Sequence, residues 1–137
     1  MTVWLYTINP SAPAGWTYGW DVDKPETLLA STDKVWPTAN FFRKIKPRDQ
    51  IAVYMKNTGC ETGDGIYIVG SVVSVDEDAR ELTWRPDRAQ TAPLLDAPLP
   101  PELVYELFGR GYGGALRRLK PDRAREWKRL LRQMLRA

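Results

Sequence analysis

Two hydrophobic strand segments, joined by a turn-rich connection, constrain the fold of this chain more than any other feature of its sequence. In residues 50–56, Ile51, Val53 and Met55 alternate with residues of the opposite face, which is the period of a β-strand. Residues 66–75 are rich in β-branched residues and contain Gly70, which indicates a bulge or a close backbone approach. The two segments together predict a strongly bent strand pair.

The N-terminal half supplies the expected neighbours of this pair. Residues 3–8 are apolar on both faces apart from Thr7, which suits a central strand. Residues 38–45, TANFFRKI, have the spacing of a short helix, and the turn Lys46-Pro47-Arg48-Asp49 ends it. Residues 81–85 predict an edge strand that carries Trp84.

The C-terminal half reads as two helices that follow a surface crossing. Several prolines between residues 87 and 101 predict irregular structure, and residues 102–108 predict a short helix that Gly109 ends. In the last segment, Pro121 and Asp122 suit a first helical turn. Its apolar residues recur at helical spacing, so that one face docks and the other is basic: Trp127, Leu130, Leu131, Met134 and Leu135.

Length and composition bound the class of protein. With 137 residues, 43% of them hydrophobic, residues 1–137 are expected to form a single domain with a real core. The chain has no histidine and one cysteine, Cys60, which excludes a histidine base and the common zinc sites. No signal peptide or membrane span is recognisable, so we expect a cytoplasmic protein. We expect neither a cofactor nor a metal.

The charge is distributed unevenly along the chain. Residues 110–137 carry ten Lys or Arg and two acids, a net charge of +8, whereas residues 1–109 carry ten basic and fifteen acidic residues, a net charge of −5. A concentrated positive segment favours a polyanionic partner. A basic helix that is simply a solvated face explains the same composition equally well.

The order of elements in residues 2–85 resembles the PUA-like superfamily, with EVE and YTH domains as its nearest members. The resemblance is carried by Trp36, the short helix, the K-P-x-D turn, the "IAVYM" strand and the "GIYIVGSVVSV" strand. Arg48 occupies the position where those families have glycine, which leaves the turn type open. The resemblance implies an α+β fold: a bent, PUA-like β-barrel of about five strands with flanking helices and a basic C-terminal helix.

The families that this chain resembles bind nucleic acid, and they commonly hold a flipped, modified base in an aromatic pocket. Trp36 occupies the place of their cage tryptophan, and aromatic rings in a preceding loop supply candidate walls. Core packing is the alternative for each of these rings. The expected base-binding residues are Trp36, Trp20, Trp16, Asn9, Ser11, Thr38 and Asn40.

Basic side chains near this pocket and in the C-terminal segment are the expected phosphate ligands. The expected partner is a modified DNA or RNA, and no membrane partner is expected. A nuclease or a modification-system protein is the kind of protein expected to act alongside a nucleic-acid-binding module of this type. The loop GRGYGG lacks the lysine and the strand order of a nucleotide-binding loop. The expected phosphate-binding residues are Arg43, Lys44, Lys46, Arg110, Arg117 and Arg118.

Two other functions stay open. One is a protein-interaction or regulatory domain, in which the aromatic loop is core and the basic helix is a docking surface. The other is a small amidohydrolase like those of the related ASCH family, which place lysine three residues before threonine. Here Lys34 and Thr38 are four residues apart with Pro37 between them, and no partner glutamate is evident, so we expect no enzymatic activity.

Overall fold

A curled mixed β-sheet with three helices forms an α+β fold in the computed structural model, which describes residues 2–8, 33–38, 41, 43–56, 63–109 and 116–136. The helices follow the fifth strand in the chain. In chain order the elements are β1 (Val3–Ile8), β2 (Lys34–Pro37), β3 (Gln50–Met55), β4 (Gly65–Asp76), β5 (Glu81–Pro86), α1 (Arg88–Asp96), α2 (Pro101–Phe108), β6 (Leu116–Arg118), a 3₁₀ turn (Pro121–Arg123) and α3 (Ala124–Arg136).

The six strands lie in the order β2-β5-β4-β3-β1-β6, and β1 with β3 is the parallel pair. Residues of the parallel strands β1 and β3 alternate between two apolar clusters. Trp4, Tyr6 and Ile8 of β1 and Ile51, Val53 and Met55 of β3 belong to one cluster. Leu5, Ala52 and Tyr54 belong to the other, so the predicted burial of β1 on both faces is confirmed, and β3 is buried on both faces as well.

The sheet curls far enough to bring strands from distant positions together. Strands β1 and β2 are four strand positions apart, which would separate them by about 19 Å in a flat sheet. Instead, the ring centroids of Tyr6 and Trp36 are 4.7 Å apart, and the Tyr6 hydroxyl donates to the Pro37 carbonyl at 2.8 Å. The first apolar cluster is therefore the interior of a half-barrel.

A bulge and a glycine produce part of this curvature. The register of β3 against β4 shifts at Val53 and Tyr54, and the consecutive residues Tyr67 and Ile68 both enter the interior cluster. A Cβ atom on Gly70 would lie 2.3 Å from the carbonyl oxygen of Arg85. The predicted close backbone approach at Gly70 is confirmed, because only glycine leaves room for β5 there.

The turn before β3 is a type II turn with an arginine in the left-handed position. The Asp49 N–H donates to the Lys46 carbonyl at 3.1 Å, Pro47 is the second residue of the turn, and Arg48 has a φ of 74°. This conformation settles the turn type that the sequence left open. The Arg48 side chain is exposed, so its charge is carried at the surface of the turn.

Helices α1, α2 and α3 contribute to the outer cluster of the sheet. Residues 87–101 were expected to be irregular, and this expectation is wrong, because α1 begins there despite Pro93 within it. The Asp87 side chain caps the helix by accepting from the Gln90 N–H. The Thr91 hydroxyl donates to the Val69 carbonyl and accepts from the Val69 N–H, which satisfies β4 where β5 has ended.

The edges of the sheet differ from the expected arrangement of about five strands. The described residues form six strands, and two of these, β2 and β6, were not predicted as strands. Trp84 does not lie on an edge strand, because β2 pairs with β5 on its outer side. In the predicted helix 38–45, the described residues form turns in which the Phe41 and Lys44 N–H groups each donate to a carbonyl three residues back.

The two C-terminal helices are confirmed. Helix α2 ends at Gly109, which has a φ of 82°, and α3 buries Trp127 and Leu131 against the outer cluster. The Trp127 ring meets Phe108 edge-on at 5.7 Å, and its indole N–H donates to the Gln50 Oε1 at 2.7 Å. Among the described residues no helix is sufficiently long and apolar to cross a membrane.

Trp127 anchors α3, and its loss should weaken the whole fold. We expect Trp127→Ala to lower the free energy of unfolding by about 3–5 kcal/mol, because a fully buried ring is removed and the Gln50 acceptor loses a donor. Urea unfolding measures the change. Trp127→Phe is the matched control that keeps most of the ring, and an unchanged midpoint in the alanine variant would contradict the docking of α3.

Arg48 tests the left-handed turn. We expect Arg48→Gly to be more stable than Arg48→Ala by about 1 kcal/mol, because both substitutions remove the side chain and only glycine relieves the steric conflict at a φ of 74°. Thermal unfolding of the two variants measures the difference. An alanine variant at least as stable as the glycine variant would contradict this turn geometry.

Candidate nucleic-acid interface

Trp36 lies at the interior seam where the curled sheet brings β1 and β2 together. Its ring is flanked by Tyr6 at 4.7 Å and by Trp84 at 4.9 Å, and it is 5% exposed. The neighbouring Thr38 is fully buried, and its N–H donates to the Arg80 carbonyl. Trp36 is thus part of a three-ring aromatic seam composed of Tyr6, Trp36 and Trp84.

One polar atom of this seam has no partner among the described residues. The indole nitrogen of Trp84 is buried and has no hydrogen-bond acceptor in the part of the chain that the structure describes. A buried N–H without an acceptor costs about 1–3 kcal/mol. The seam therefore carries one hydrogen-bond donor that an acceptor atom could satisfy.

Asp49 ties the turn to the rest of the barrel. Its carboxylate, 5% exposed, accepts hydrogen bonds from the backbone N–H groups of Thr2 and Lys46 and from the indole N–H of Trp4, at 2.9–3.1 Å. Three donors to one carboxylate fix both the start of β1 and the turn that carries Lys46. This network holds the basic turn at the end of the barrel where Trp4 lies.

At that end, cations from distant segments meet an aromatic pair, and we call Trp4, Phe41, Lys44 and Arg118 the rim cluster. The rings of Trp4 and Phe41 meet edge-on with centroids 5.3 Å apart. The Arg118 guanidinium lies 5.5 Å from the Trp4 centroid, and the Lys44 ammonium lies 6.0 Å from the Phe41 centroid. Trp4 is buried and Phe41 half-buried, whereas both cations are exposed, so the cations and part of the Phe41 ring face solvent.

The register of the sheet explains why Arg118 belongs to the rim cluster. Strand β6 pairs antiparallel with β1, and Arg118 is directly opposite Trp4. Leu116, two residues earlier, enters the interior cluster, so the alternation of a strand places Arg118 on the same face at its end. Sequence analysis missed Trp4 as a site residue because β6 and its pairing with β1 were not recognised, and it missed Phe41 because its contact with Trp4 joins segments that are distant in the chain.

The predicted phosphate ligands divide into distinct groups. Arg43, Lys44 and Lys46 are exposed in the segment before β3, and Arg118 joins them through the rim cluster. Arg117 is half-buried, and its guanidinium donates to the Gly109 carbonyl at 2.6 Å at the end of α2.

Of the predicted base-binding residues, the structure describes two. Trp36 and Thr38 are both buried; Trp36 lies in β2, and Thr38 directly follows the strand. The other predicted site residues lie outside the described residues: Trp16, Trp20, Asn9, Ser11, Asn40 and Arg110.

The Tyr54 phenol, in the outer cluster of the sheet, lies in surroundings that oppose its ionisation. Burial, together with a hydrogen bond to Tyr105, raises the pKa of the Tyr54 phenol well above its ordinary value, so this group stays neutral. Across the described ranges, no group of three or more His, Cys, Asp or Glu residues is placed to hold a metal ion.

Comparison with known proteins supports the fold alone. No protein-family model and no curated protein matches the chain. The NMR structure of Rpa0253 from Rhodopseudomonas palustris, a structural-genomics target, is similar with a TM-score of 0.51 and 15% sequence identity. The likeness covers 98% of this chain and 92% of that one, so the arrangement of sheet and helices as a whole has a counterpart among solved structures.

Proposed function

We propose that this protein is a non-catalytic nucleic-acid-binding module of PUA-like type, with the rim cluster as its contact surface. The observation that carries the proposal is the convergence of Lys44 and Arg118, 74 positions apart in the chain, on the aromatic pair Trp4 and Phe41. Cations beside a partly exposed ring are the combination that binds phosphates and stacks a base at once.

The charges of this surface are available to a ligand. The ion pairs within the described residues join Arg85 to Asp33 and Arg123 to Glu106 and Glu126. Lys44, Lys46 and Arg118 take part in none of these ion pairs. Since a protein cation that neutralises a backbone phosphate releases the counterion condensed there, exposed basic side chains without carboxylate partners favour binding to a polyanion.

The finer form of the proposal is recognition of a modified base in DNA or RNA, with Trp36 as one wall of the cage. Two observations support it: the position of Trp36 in the aromatic seam, and the buried donor of Trp84, which a base carbonyl or ring nitrogen would satisfy. Because Trp36 is 5% exposed, a base reaches its face only if the ring separates from a neighbour. That low exposure also favours the alternative of an interaction domain in which Trp36 is core.

Charge removal at the rim should change the salt dependence of binding. We expect Lys44→Ala with Arg118→Ala to lower the slope of log affinity against log salt by about 1.4 for single strands and about 1.8 for duplexes, since two phosphate contacts are lost. Fluorescence anisotropy with labelled oligonucleotides measures the slope. Arg125→Ala with Arg129→Ala removes the same charge from the exposed side of α3 and is the matched control.

Two results would contradict the rim as the contact surface. One is wild-type binding that does not depend on salt, because phosphate contacts always release counterions. The other is an equal loss in the rim variant and the α3 control, which would mean that only the net charge of the protein matters.

Trp36→Ala separates base recognition from backbone attraction. If Trp36 is a cage wall, we expect the variant to lose about 1–3 kcal/mol of affinity for a strand with the recognised modified base and almost none for the unmodified strand. If the ring is core, unfolding free energy falls by about 3–5 kcal/mol and both strands weaken together. Thermal unfolding precedes the titrations. Where the alanine variant does not fold, Trp36→Leu replaces it, and an unchanged ratio of affinities in a folded variant ends the cage hypothesis.

A further inference from the structure

A groove next to the rim cluster combines an apolar floor with basic walls. It has a volume of about 310 Å³ and lies between the start of β1, the segment after β6 and the first turns of α3. Val3, Leu119 and Trp127 are buried and form its floor, whereas Arg118, Lys120 and Lys128 are exposed and form its walls. Its size is at the lower end of the range for small-ligand sites.

The backbone holds these walls in place. The Leu119 N–H donates to the Val3 carbonyl at 2.9 Å, and the Lys120 N–H donates to the Leu107 carbonyl at 3.1 Å. The docked Trp127 ring fixes α3, which carries Lys128 one residue later. Arg118 and Lys120 therefore lie on β6 and the segment after it, and Lys128 lies on α3. Hydrogen bonds and core packing set the positions of both parts.

The groove has a net positive charge. Its lining in the described part of the chain contains three cations and no carboxylate. The acid in the first turn of α3, Glu126, pairs with Arg123, and so does Glu106 of α2. Asp49 lies next to the groove, because its carboxylate accepts a hydrogen bond from the N–H of Thr2, which lines the groove. Two further N–H donors occupy the carboxylate oxygens of Asp49. A negative group placed in this groove would meet three cations of its own.

We propose that this groove is a phosphate subsite of the nucleic-acid interface, which takes one backbone phosphate together with the sugar beside it. The inference rests on the proposed function. Arg118 belongs to both sites, and contacts of 5.5 and 5.3 Å in series place its guanidinium within about 11 Å of Phe41. That span corresponds to about three nucleotides at the rise of 3.4 Å per nucleotide of a duplex strand. A strand whose base stacks on Phe41 thus reaches the groove with its next few phosphates.

The variant that tests the subsite is Lys120→Ala with Lys128→Ala, which leaves the rim cluster intact. We expect the salt slope to fall by about 1.4 with a labelled single-stranded oligonucleotide, and affinity at low salt to fall more than in the control. Arg125→Ala with Arg129→Ala is again the matched control, on the helix that carries Lys128 and with the same change in charge. Thermal unfolding of both pairs verifies that the comparison is made on folded proteins.

The outcomes separate this inference from the proposed function. A groove variant that behaves like the α3 control, while the rim variant weakens binding, overturns the subsite and leaves the proposed function standing. A groove variant that weakens binding beyond the control supports the subsite.

Titration of the wild-type protein with inorganic pyrophosphate tests the groove without nucleic acid. In ¹⁵N-resolved NMR spectra we expect saturable shifts at the amides of Lys120 and Lys128 and at the Trp127 indole N–H, with smaller shifts at Arg125 and Arg129. Shifts spread evenly over all the basic residues of α3 would show only screening by an anion and would overturn the subsite, whether or not the protein binds oligonucleotides.

Discussion

The fold depends on two consecutive polar side chains at the start of β3, each of which accepts an indole N–H from a different face of the sheet. Asp49 accepts from Trp4 in the interior, and Gln50 accepts from Trp127 of the covering helix. The Gln50 amide also donates to Gln90 of α1. Each acceptor lies at a buried site where a lost partner is costly, so the pair fixes the orientation of both tryptophans. The positions of the interior cluster and of the outer helical layer are in this way both fixed by the backbone at residues 49 and 50.

Function, as proposed, uses what this pair positions. Trp4 is held by Asp49, carries Arg118 over its ring and meets Phe41 at its edge. Trp127 is held by Gln50 and forms the floor of the basic groove. Neither tryptophan is exposed enough to stack on a base itself. Their role is to present cations and the more exposed Phe41 in a fixed arrangement, which reduces the entropy lost when a ligand orders those side chains.

The sequence predicts the elements whose signals are local. Strand β3 and helix α3 follow from the periodicity of their own residues, and α2 follows from Gly109 at its end. Strands β2 and β6 have four and three residues, and only pairing with neighbours makes them strands. Basic residues could be named as candidates in advance, but the pairing of Trp4 with Arg118 and the burial of Trp36 are tertiary facts that no local pattern contains.

The short outer strands of the sheet have a consequence for the behaviour of the protein in concentrated solution. A long, flat edge exposes a row of unpaired backbone groups on which a strand of another molecule can assemble. Here β2 occupies one end of the sheet order with four residues, the last of them Pro37, which has no N–H to offer, and β6 occupies the other end with three. Within the described residues, intermolecular sheet extension therefore has little template at either end of the sheet, which protects the β-branched inner strands from fibrillar self-association.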